Sequence, residues 1–254
     1  GSSSVLQRMR RGYTREAYLE LIDTVVSKIP DVAITSDFIA GFCGETEDEH
    51  LDTLALMERV QYDQAFMFAY SMRGKTHAHR QFQDDVPEQV KSRRLQEIID
   101  VFRTNVQQRN ENREVGRLRL VLMEGESKKS KPEAVTWHGR TDQNKRVVFP
   151  MNEDLSCLAD KDVRALLQRL QSSTDGESLG ADVLDDYSFS AEKMKPGDYA
   201  VVYVTEARGH TLRGRLLWRT TLSTFGEMNL SLYDEHLLMD ALSPDCSVPE
   251  SITA

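Results

Sequence analysis

Apolar residues in the first half of the chain alternate between helical and strand-like spacing. From Tyr18 to Ile29 they recur every three or four positions, which predicts a helix with Thr14 as its N-cap and Pro30 as its stop. The β-branched run Val32–Thr35 follows and predicts the start of a buried strand. A helix therefore leads directly into a strand.

A glycine turn connects this strand to a second predicted helix at 47–60. Gly41 and Gly44 allow positive φ angles, and they stand where the strand is expected to end. Thr46 and Glu49 have the spacing of a capping box, which marks the start of the helix. The apolar stripe expected to face the core comprises Leu51, Leu54 and Met57.

A second strand is predicted at 65–71 and a long third helix from Pro87 to Asn112. The strand sequence AFMFAYS is apolar and aromatic, which favours a buried parallel strand over an edge facing solvent. The order of elements is typical of βα units in a parallel sheet or barrel. Two strands complete neither architecture, so we expect residues 1–112 to be a piece of a larger α/β domain.

From Glu114 onwards the apolar spacing changes to that of short strands. The runs at 115–127, 134–150 and 199–217 are β-rich and separated by Gly, Lys, Ser and Asn, which predicts a small antiparallel barrel. We expect this second domain to occupy 113–220, with an acidic insert at 151–195 that contains a short helix. An acidic tail at 221–254 completes the predicted organisation.

Composition excludes several classes of protein. The chain has 254 residues, 39% hydrophobic and 29% charged, and no apolar run approaches the roughly 20 residues needed to span a bilayer. Cys43, Cys157 and Cys246 lie far apart and form no CxxC pair, so we expect a reducing compartment and no metal site within the chain. The start of the sequence shows no signal-peptide pattern.

The net charge of −9 is unevenly distributed. Residues 113–150 carry nine Lys or Arg against five Asp or Glu, and residues 199–219 carry four against one. The insert and tail hold most of the acidic residues in the second half of the chain. The barrel is therefore the part of the chain expected to meet nucleic acid.

The glycine turn is the candidate ligand site of the first half. Ser36 and Asp37 can supply polar contacts near the end of the strand, while Gly41 and Gly44 let the backbone approach a ligand closely. Many strand-to-helix turns with two glycines bind nothing, and Asp37 can equally be a structural carboxylate bonded to nearby backbone or to Arg11. Arg73, after the second strand, can pair with a substrate phosphate or with a surface carboxylate.

The barrel carries candidate RNA contacts in two places. Cations for phosphates stand beside groups that can bond or stack on bases, a combination typical of single-stranded RNA sites. The alternative is a solvated basic face, and Trp137 and Trp218 are expected to fill core or hairpin positions. The candidate contacts are Arg140, Asn144, Lys145, Arg146 and Phe149, joined by Arg213 and Arg215 on the last hairpin.

Four motifs in this order resemble the MiaB-like radical S-adenosylmethionine tRNA methylthiotransferases. They are VLQRMRRGYT at Val5–Thr14, SDFIAGFCGET at Ser36–Thr46, FAYSMRGKTHA at Phe68–Ala78, and GRTDQNKRVVFP at Gly139–Pro150. The chain is similar to the carboxyl-terminal part of the family, and most similar to its animal mitochondrial branch, named for association with an activator of cyclin-dependent kinase 5.

The resemblance implies the distal part of a radical-SAM (β/α) barrel followed by an all-β TRAM domain of the oligonucleotide-barrel type. It implies an enzyme that converts N6-isopentenyl adenosine at position 37 of the tRNA anticodon loop to its 2-methylthio derivative. The implied cofactors are S-adenosylmethionine, with Ser36, Asp37, Gly41 and Gly44 as one wall of its pocket, and two [4Fe-4S] clusters. The branch implies a mitochondrial location and a kinase-activator protein as a further partner. The lack of a long apolar run leads us to expect no membrane partner.

The sequence departs from the family pattern at three points. Cys43 stands where the family usually has Pro, and Gly74-Lys75-Thr76 where it usually has Pro-Gly-Thr. The CxxxCxxC motif that binds the radical-generating cluster does not occur, and neither does a targeting segment. We therefore expect these residues alone to be catalytically inactive, with no catalytic residue of their own. The alternative function is a non-catalytic protein that binds RNA or a kinase activator.

Overall fold

The structure is a computed structural model that describes residues 1–132, 134–151 and 194–227. The chain divides into two compact units, Gly1–Asn112 and Arg113–Ala254. The helix predicted in the acidic insert and nearly all of the acidic tail lie outside the described residues. Among those described, no helix is long and apolar enough to cross a membrane.

The first unit contains a parallel two-stranded sheet and five helices. Strand β1 pairs with β2 in parallel, with Thr35 opposite Gln64 and Ala40 opposite Ala69, which confirms the predicted parallel pairing. The elements in chain order are α1 Ser3–Arg8, α2 Arg15–Lys28, β1 Thr35–Ala40, α3 Glu47–Val60, β2 Gln64–Ala69, α4 His77–Gln81 and α5 Glu88–Arg113.

The starts of α2, α3 and α4 are fixed by side-chain caps. The Thr14 hydroxyl accepts a hydrogen bond from the Ala17 backbone N–H at the start of α2. At the start of α3, Thr46 and Glu49 each bond the other's backbone N–H, which confirms the predicted capping box. Each cap satisfies N–H groups that have no partner inside the helix, so the first turn forms where the sequence predicts.

One face of the sheet packs against α3 and α5. Phe38 and Ala40 from β1 lie in a buried cluster with Met57 of α3 and with Ile98 and Phe102 of α5. The stripe predicted for α3 is partly wrong. Leu51 is 52% exposed, whereas His50 and Thr53 are buried, because polar contacts with other elements turn that side of the helix inwards.

The opposite face of the sheet is open, and the prediction of a fully buried second strand is wrong on this face. Phe66 is 50% exposed and Phe68 is 54% exposed. They stand opposite Asp37 and Ile39 in the strand register, so the four side chains share one face. The core cluster covers only the other side of the two strands.

The second unit is built around a closed barrel of five strands in the order β3-β4-β5-β7-β6. All neighbouring pairs are antiparallel except β5 and β7, which are parallel. The elements are β3 Leu118–Glu126, β4 Thr136–Thr141, β5 Arg146–Pro150, β6 Tyr199–Arg208, β7 Thr211–Thr220 and the short helix α6 Leu222–Glu227. The chain is thus mixed α/β, with its five-stranded sheet where β-rich runs are predicted.

Alternate residues of each strand fill the barrel interior. Val147 and Phe149 of β5, Val202 of β6 and Leu212 of β7 belong to one buried cluster. Gly214 lets β7 approach β6 closely, because a Cβ atom there would lie 2.5 Å from Val202 Cγ1. The residues between these inward positions consequently point outwards.

Candidate nucleic-acid interface and glycine turn

The turn after β1 depends on the backbone freedom of two glycines. Gly41 has a φ of +76° and Gly44 a φ of +67°, both in the left-handed region that side chains disfavour. The predicted glycine turn is therefore present, and it follows the carboxyl end of β1 directly.

Lys91 of α5 fills the space beside Gly41. A Cβ atom at Gly41 would lie 2.4 Å from Lys91 Cγ, so glycine is required for side-chain packing as well as for its φ angle. The Lys91 ammonium group is buried and lies 2.7 Å from Asp84 Oδ1 and 2.7 Å from Glu88 Oε1. Burial alone would lower the Lys91 pKa, but the hydrogen bonds to both carboxylates outweigh it and raise the pKa. The lysine thus remains a cation behind the turn.

Glu45 fastens the turn to α5. Its Oε2 accepts hydrogen bonds from the Gly41 backbone N–H at 2.7 Å and from Arg94 Nη1 at 3.0 Å. Arg94 Nη1 also donates to the Glu45 carbonyl at 2.9 Å, and both side chains are almost fully buried. The sequence analysis gave no role in the turn to Glu45, Lys91 or Arg94, because the turn and α5 lie far apart in the sequence and meet only in the fold.

Cys43 and Tyr70 lie next to the turn in a small apolar cluster with Val5 and Phe42. Burial, followed by a hydrogen bond with Cys43, raises the pKa of Tyr70 to about 12. Tyr70 therefore stays protonated near neutral pH. Cys43 is a free, buried thiol.

The four residues predicted to line a cofactor pocket do not converge. Ser36 and Asp37 are at the second and third positions of β1, so they begin the strand and are separated along it from the turn. Neighbouring residues of a strand point to opposite faces, and Asp37 is on the open face whereas Ser36 is on the packed one. Lys91 occupies the approach to Gly41, and the Gly44 backbone N–H donates to Asp85 Oδ1 at 2.7 Å.

Arg73 is exposed in the loop between β2 and α4. Its carbonyl accepts a hydrogen bond from the Thr76 hydroxyl at 2.8 Å, and no ion pair of its side chain occurs within the described residues. Among the described residues, no surface carboxylate therefore pairs with the Arg73 side chain.

Four predicted RNA contacts share the outer surface of the barrel. Arg140 of β4 stands directly opposite Arg146 of β5, and Arg213 of β7 stands beside Val148, two residues further along β5. Arg215 follows Arg213 on the same side of β7, because Gly214 between them points inwards. We call Arg140, Arg146, Arg213 and Arg215 the arginine face.

Two carboxylates border the arginine face. Glu124 Oε1 lies 3.5 Å from Arg140 Nε, and Glu206 Oε2 lies 3.8 Å from Arg213 Nε. These side chains are about 40% exposed, so water weakens both ion pairs. Arg146 and Arg215 have no ion pair among the described residues. The face therefore retains positive charge that is available to an anion.

Two predicted contacts, Lys145 and Phe149, are revised by the structure. Lys145 is buried, and its Nζ lies 2.7 Å from Glu114 Oε1, whose second oxygen pairs with Arg119 at 2.7 Å. Phe149 is 1% exposed within the barrel core. Strand alternation explains both, since each residue points into the barrel while Arg146 points out. We remove them from the candidate contacts.

Asn144 remains exposed in the β4–β5 turn, where its φ of +60° suits an Asn. Its carbonyl oxygen accepts a hydrogen bond from Arg140 Nη1 at 3.1 Å. His138 also lies on this surface, with Nε2 at 3.3 Å from Glu124 Oε2, and the sequence analysis missed it. As predicted, Trp218 is buried and Trp137 packs against the core.

Known proteins match the chain closely, although no protein-family model does. It is 46% identical over 222 residues to the mitochondrial tRNA methylthiotransferase CDK5RAP1 of Homo sapiens. The matched region covers 87% of this chain and 32% of the relative. It is 45% identical to a CDK5RAP1-like protein of Oryza sativa, over 89% of this chain and 32% of the relative.

A bacterial relative matches a shorter part. The tRNA-2-methylthio-N(6)-dimethylallyladenosine synthase of Chlorobaculum tepidum is 52% identical over 149 residues, which is 59% of this chain and 33% of the relative. The chain therefore spans about a third of the length of the curated relatives it matches.

These matches confirm the resemblance that the sequence motifs indicated, to a family of enzymes that modify tRNA. Over most of its length the chain is similar to tRNA methylthiotransferases of the MiaB-like family. Three of its relatives in animals are named as mitochondrial members of that family.

Proposed function

We propose that the second unit is a TRAM-type RNA-binding domain, and that the chain acts as the carboxyl-terminal part of a tRNA methylthiotransferase. The observation that carries this proposal is the arginine face on a closed five-stranded barrel. Barrels of the oligonucleotide-binding type present one strand face to single-stranded RNA. Cations on that face neutralise phosphates, and this makes binding depend on salt.

The proposed substrate is tRNA, bound at the anticodon loop that contains adenosine 37. The relatives carry tRNA in their names, and an unpaired loop is the kind of RNA whose bases and backbone both remain accessible. The proposed activity of the whole enzyme is addition of a methylthio group to C2 of N6-isopentenyl adenosine. By the same similarity, we propose that it works in mitochondria; the kinase-activator partner stays a prediction from the sequence.

The first unit fits the distal part of a (β/α) barrel. Its two parallel strands are each followed by a helix, and the face away from those helices exposes Phe66 and Phe68. In a closed barrel this face lies inside and is covered by the remaining strands. The proposal thus accounts for two half-exposed aromatic rings that an independent domain would bury.

The implied cofactors find little support in the described residues. No group of three His, Cys, Asp or Glu side chains there could hold a metal ion. The four residues predicted to contact S-adenosylmethionine lie on different faces, and Lys91 fills the approach to Gly41. They do not fit one shared pocket in this arrangement, so we derive no step through either cofactor and propose that these residues alone are catalytically incomplete.

Binding of tRNA by the 254-residue chain tests the proposed function. We expect the triple substitution Arg140→Glu, Arg146→Glu and Arg213→Glu to weaken tRNA binding at least tenfold in low salt and to flatten its salt dependence. The matched control places three Glu residues on the first unit, at the exposed positions Arg59, Arg80 and Arg103, and should bind almost as the unchanged chain does. Equal losses in the two variants would refute a specific role for the barrel.

A further inference from the structure

We infer that Arg140 and Arg146 together bind one phosphate group, and that the Glu124 carboxylate pairs with Arg140 at this site when RNA is absent. The inference rests on the proposed RNA-binding function. It assigns one phosphate subsite, at which the Glu124 carboxylate competes with RNA for Arg140. The ligand is a phosphodiester of the RNA backbone.

The register of β4 and β5 creates the site. Arg140 and Arg146 are directly opposite each other on neighbouring antiparallel strands, and both are on the outer face. Side chains in such a pair start about 5 Å apart, and like charges placed there repel each other. A single anion between the two guanidinium groups removes this repulsion, and a phosphate has enough oxygens to accept from both.

Arg146 has unused hydrogen-bonding capacity. Its Nε is shielded from solvent and has no hydrogen-bond partner among the described residues, although a shielded polar atom normally has one. Thr211 stands next to Arg146 across the parallel β5–β7 pair and adds a hydroxyl on the same side. The unpartnered Nε of Arg146 therefore lies beside the two like-charged guanidinium groups, where a bound anion would also reduce their repulsion.

Glu124 of β3 already forms a weak ion pair with Arg140, on the side of β4 away from β5. Its Oε1 lies 3.5 Å from Arg140 Nε and its Oε2 lies 3.3 Å from His138 Nε2. Both distances exceed those of good charge-assisted hydrogen bonds, and both Glu124 and Arg140 are more than a third exposed. A phosphate that pairs with Arg140 must displace this carboxylate or lie beside it. Glu124 consequently lowers the affinity for RNA while it steadies Arg140 in the free protein.

The first experiment removes the competitor. We expect Glu124→Gln to tighten binding of the chain to tRNA about two- to fivefold, the range for a lost contact with one exposed ion-pair partner. Glu126→Gln makes the same charge change two residues along β3, where the described residues offer no ion pair, and should tighten binding less than twofold. In a background carrying Arg140→Gln, the gain from Glu124→Gln should disappear.

The second experiment removes the unpartnered cation. Arg146→Gln should lower the slope of log affinity against log salt by about one unit and weaken binding about five- to eightfold at 0.1 M salt. Arg59→Gln, an exposed arginine of α3, makes the same charge change and should alter neither quantity.

The outcomes separate the inference from the proposed function. If the unchanged chain shows no salt-dependent tRNA binding, the proposed function fails and the inference fails with it. If the chain binds but Arg146→Gln matches Arg59→Gln, or Glu124→Gln matches Glu126→Gln, the inference is overturned while the proposed function stands.

Discussion

Gly41, Glu45 and Lys91 hold the turn after β1 through contacts that join distant parts of the sequence. The Gly41 backbone N–H is bonded to Glu45, and Lys91 packs where a Gly41 side chain would lie. Positive φ at this position is foreseeable from the glycine itself. The close packing of Lys91 against Gly41 is not foreseeable, because it depends on where α5 packs. Gly41 therefore has a packing role besides its part in the turn, and ligand approach at Gly41 and Gly44 stays a prediction.

Gly41→Ala should destabilise the first unit by about 2–4 kcal/mol. The change adds a side chain at positive φ and brings its Cβ to 2.4 Å from Lys91 Cγ. Urea denaturation of the full chain measures this loss. Gly74→Ala is the control, because nothing lies within 4 Å of a Cβ there, and should change stability by no more than about 0.5 kcal/mol. Equal effects at both positions would show that Gly41 is not constrained in this way.

Lys145 and Phe149 show the limit of residue-level prediction in the barrel. Composition marked this hairpin as basic and partly aromatic, and Arg140 and Arg146 lie partly exposed on the outer face of the barrel. Whether a residue points inwards depends on strand register, and the position of the β4–β5 turn sets that register. Lys145 also needs Glu114, 31 residues earlier, as its buried partner.

At the scale of elements, α3 was predicted with both ends correct but with part of its buried face wrong. Its start follows from the capping box, which is a local signal. Its packing uses polar contacts with α5: Glu47 pairs with Arg93 and Arg94, and His50 lies 2.6 Å from Glu97. An apolar pattern cannot reveal such contacts, because the partners are charged residues more than 40 positions away.

The ion pairs of α3 predict a loss of stability in acid. Hydrogen bonds from Arg93 and Arg94 lower the pKa of Glu47 to about 2, and a hydrogen bond from Arg8 lowers the pKa of Glu49 to about 2. Both values lie below the roughly 4.3 of a Glu in an unfolded chain. The stabilisation is therefore complete above about pH 4.5 and is lost as the pH falls towards 2.

Unfolding measured by circular dichroism between pH 5 and pH 2 checks this account. We expect Glu49→Gln to remove on the order of 1 kcal/mol at pH 5, after allowance for solvent screening, and less as the pH falls. Glu58→Gln, at an exposed position of α3 with no ion pair among the described residues, should leave the pH profile unchanged. A Glu49→Gln profile parallel to that of the unchanged chain would contradict the assignment.

At the scale of the whole molecule, the chain consists of two units with different architectures, and the change of apolar spacing near residue 113 coincides with their boundary. The incomplete sheet of the first unit was foreseeable from its two strands. Which face would stay open was not foreseeable, because apolar residues occur on both faces of β1 and β2. The helices of this unit decide it by packing against Phe38 and Ala40.

The open face predicts an unusual tolerance for polar substitution. The double change Phe66→Ser and Phe68→Ser should lower the free energy of unfolding by no more than about 1 kcal/mol and reduce aggregation seen by light scattering. Phe38→Ser, on the packed face and 5% exposed, should cost about 3–5 kcal/mol. A double variant as unstable as Phe38→Ser would mean that the open face is covered.

The central claim is that the arginine face of the barrel contacts tRNA. Ultraviolet crosslinking of the 254-residue chain to tRNA, followed by mass spectrometry of the attached peptides, tests it most directly. We predict crosslinks in 136–150 and 211–220, which contain β4, β5 and β7, and their loss when Arg140, Arg146 and Arg213 are all changed to Glu. Crosslinks confined to residues 1–112, or unchanged in the triple variant, would contradict the claim.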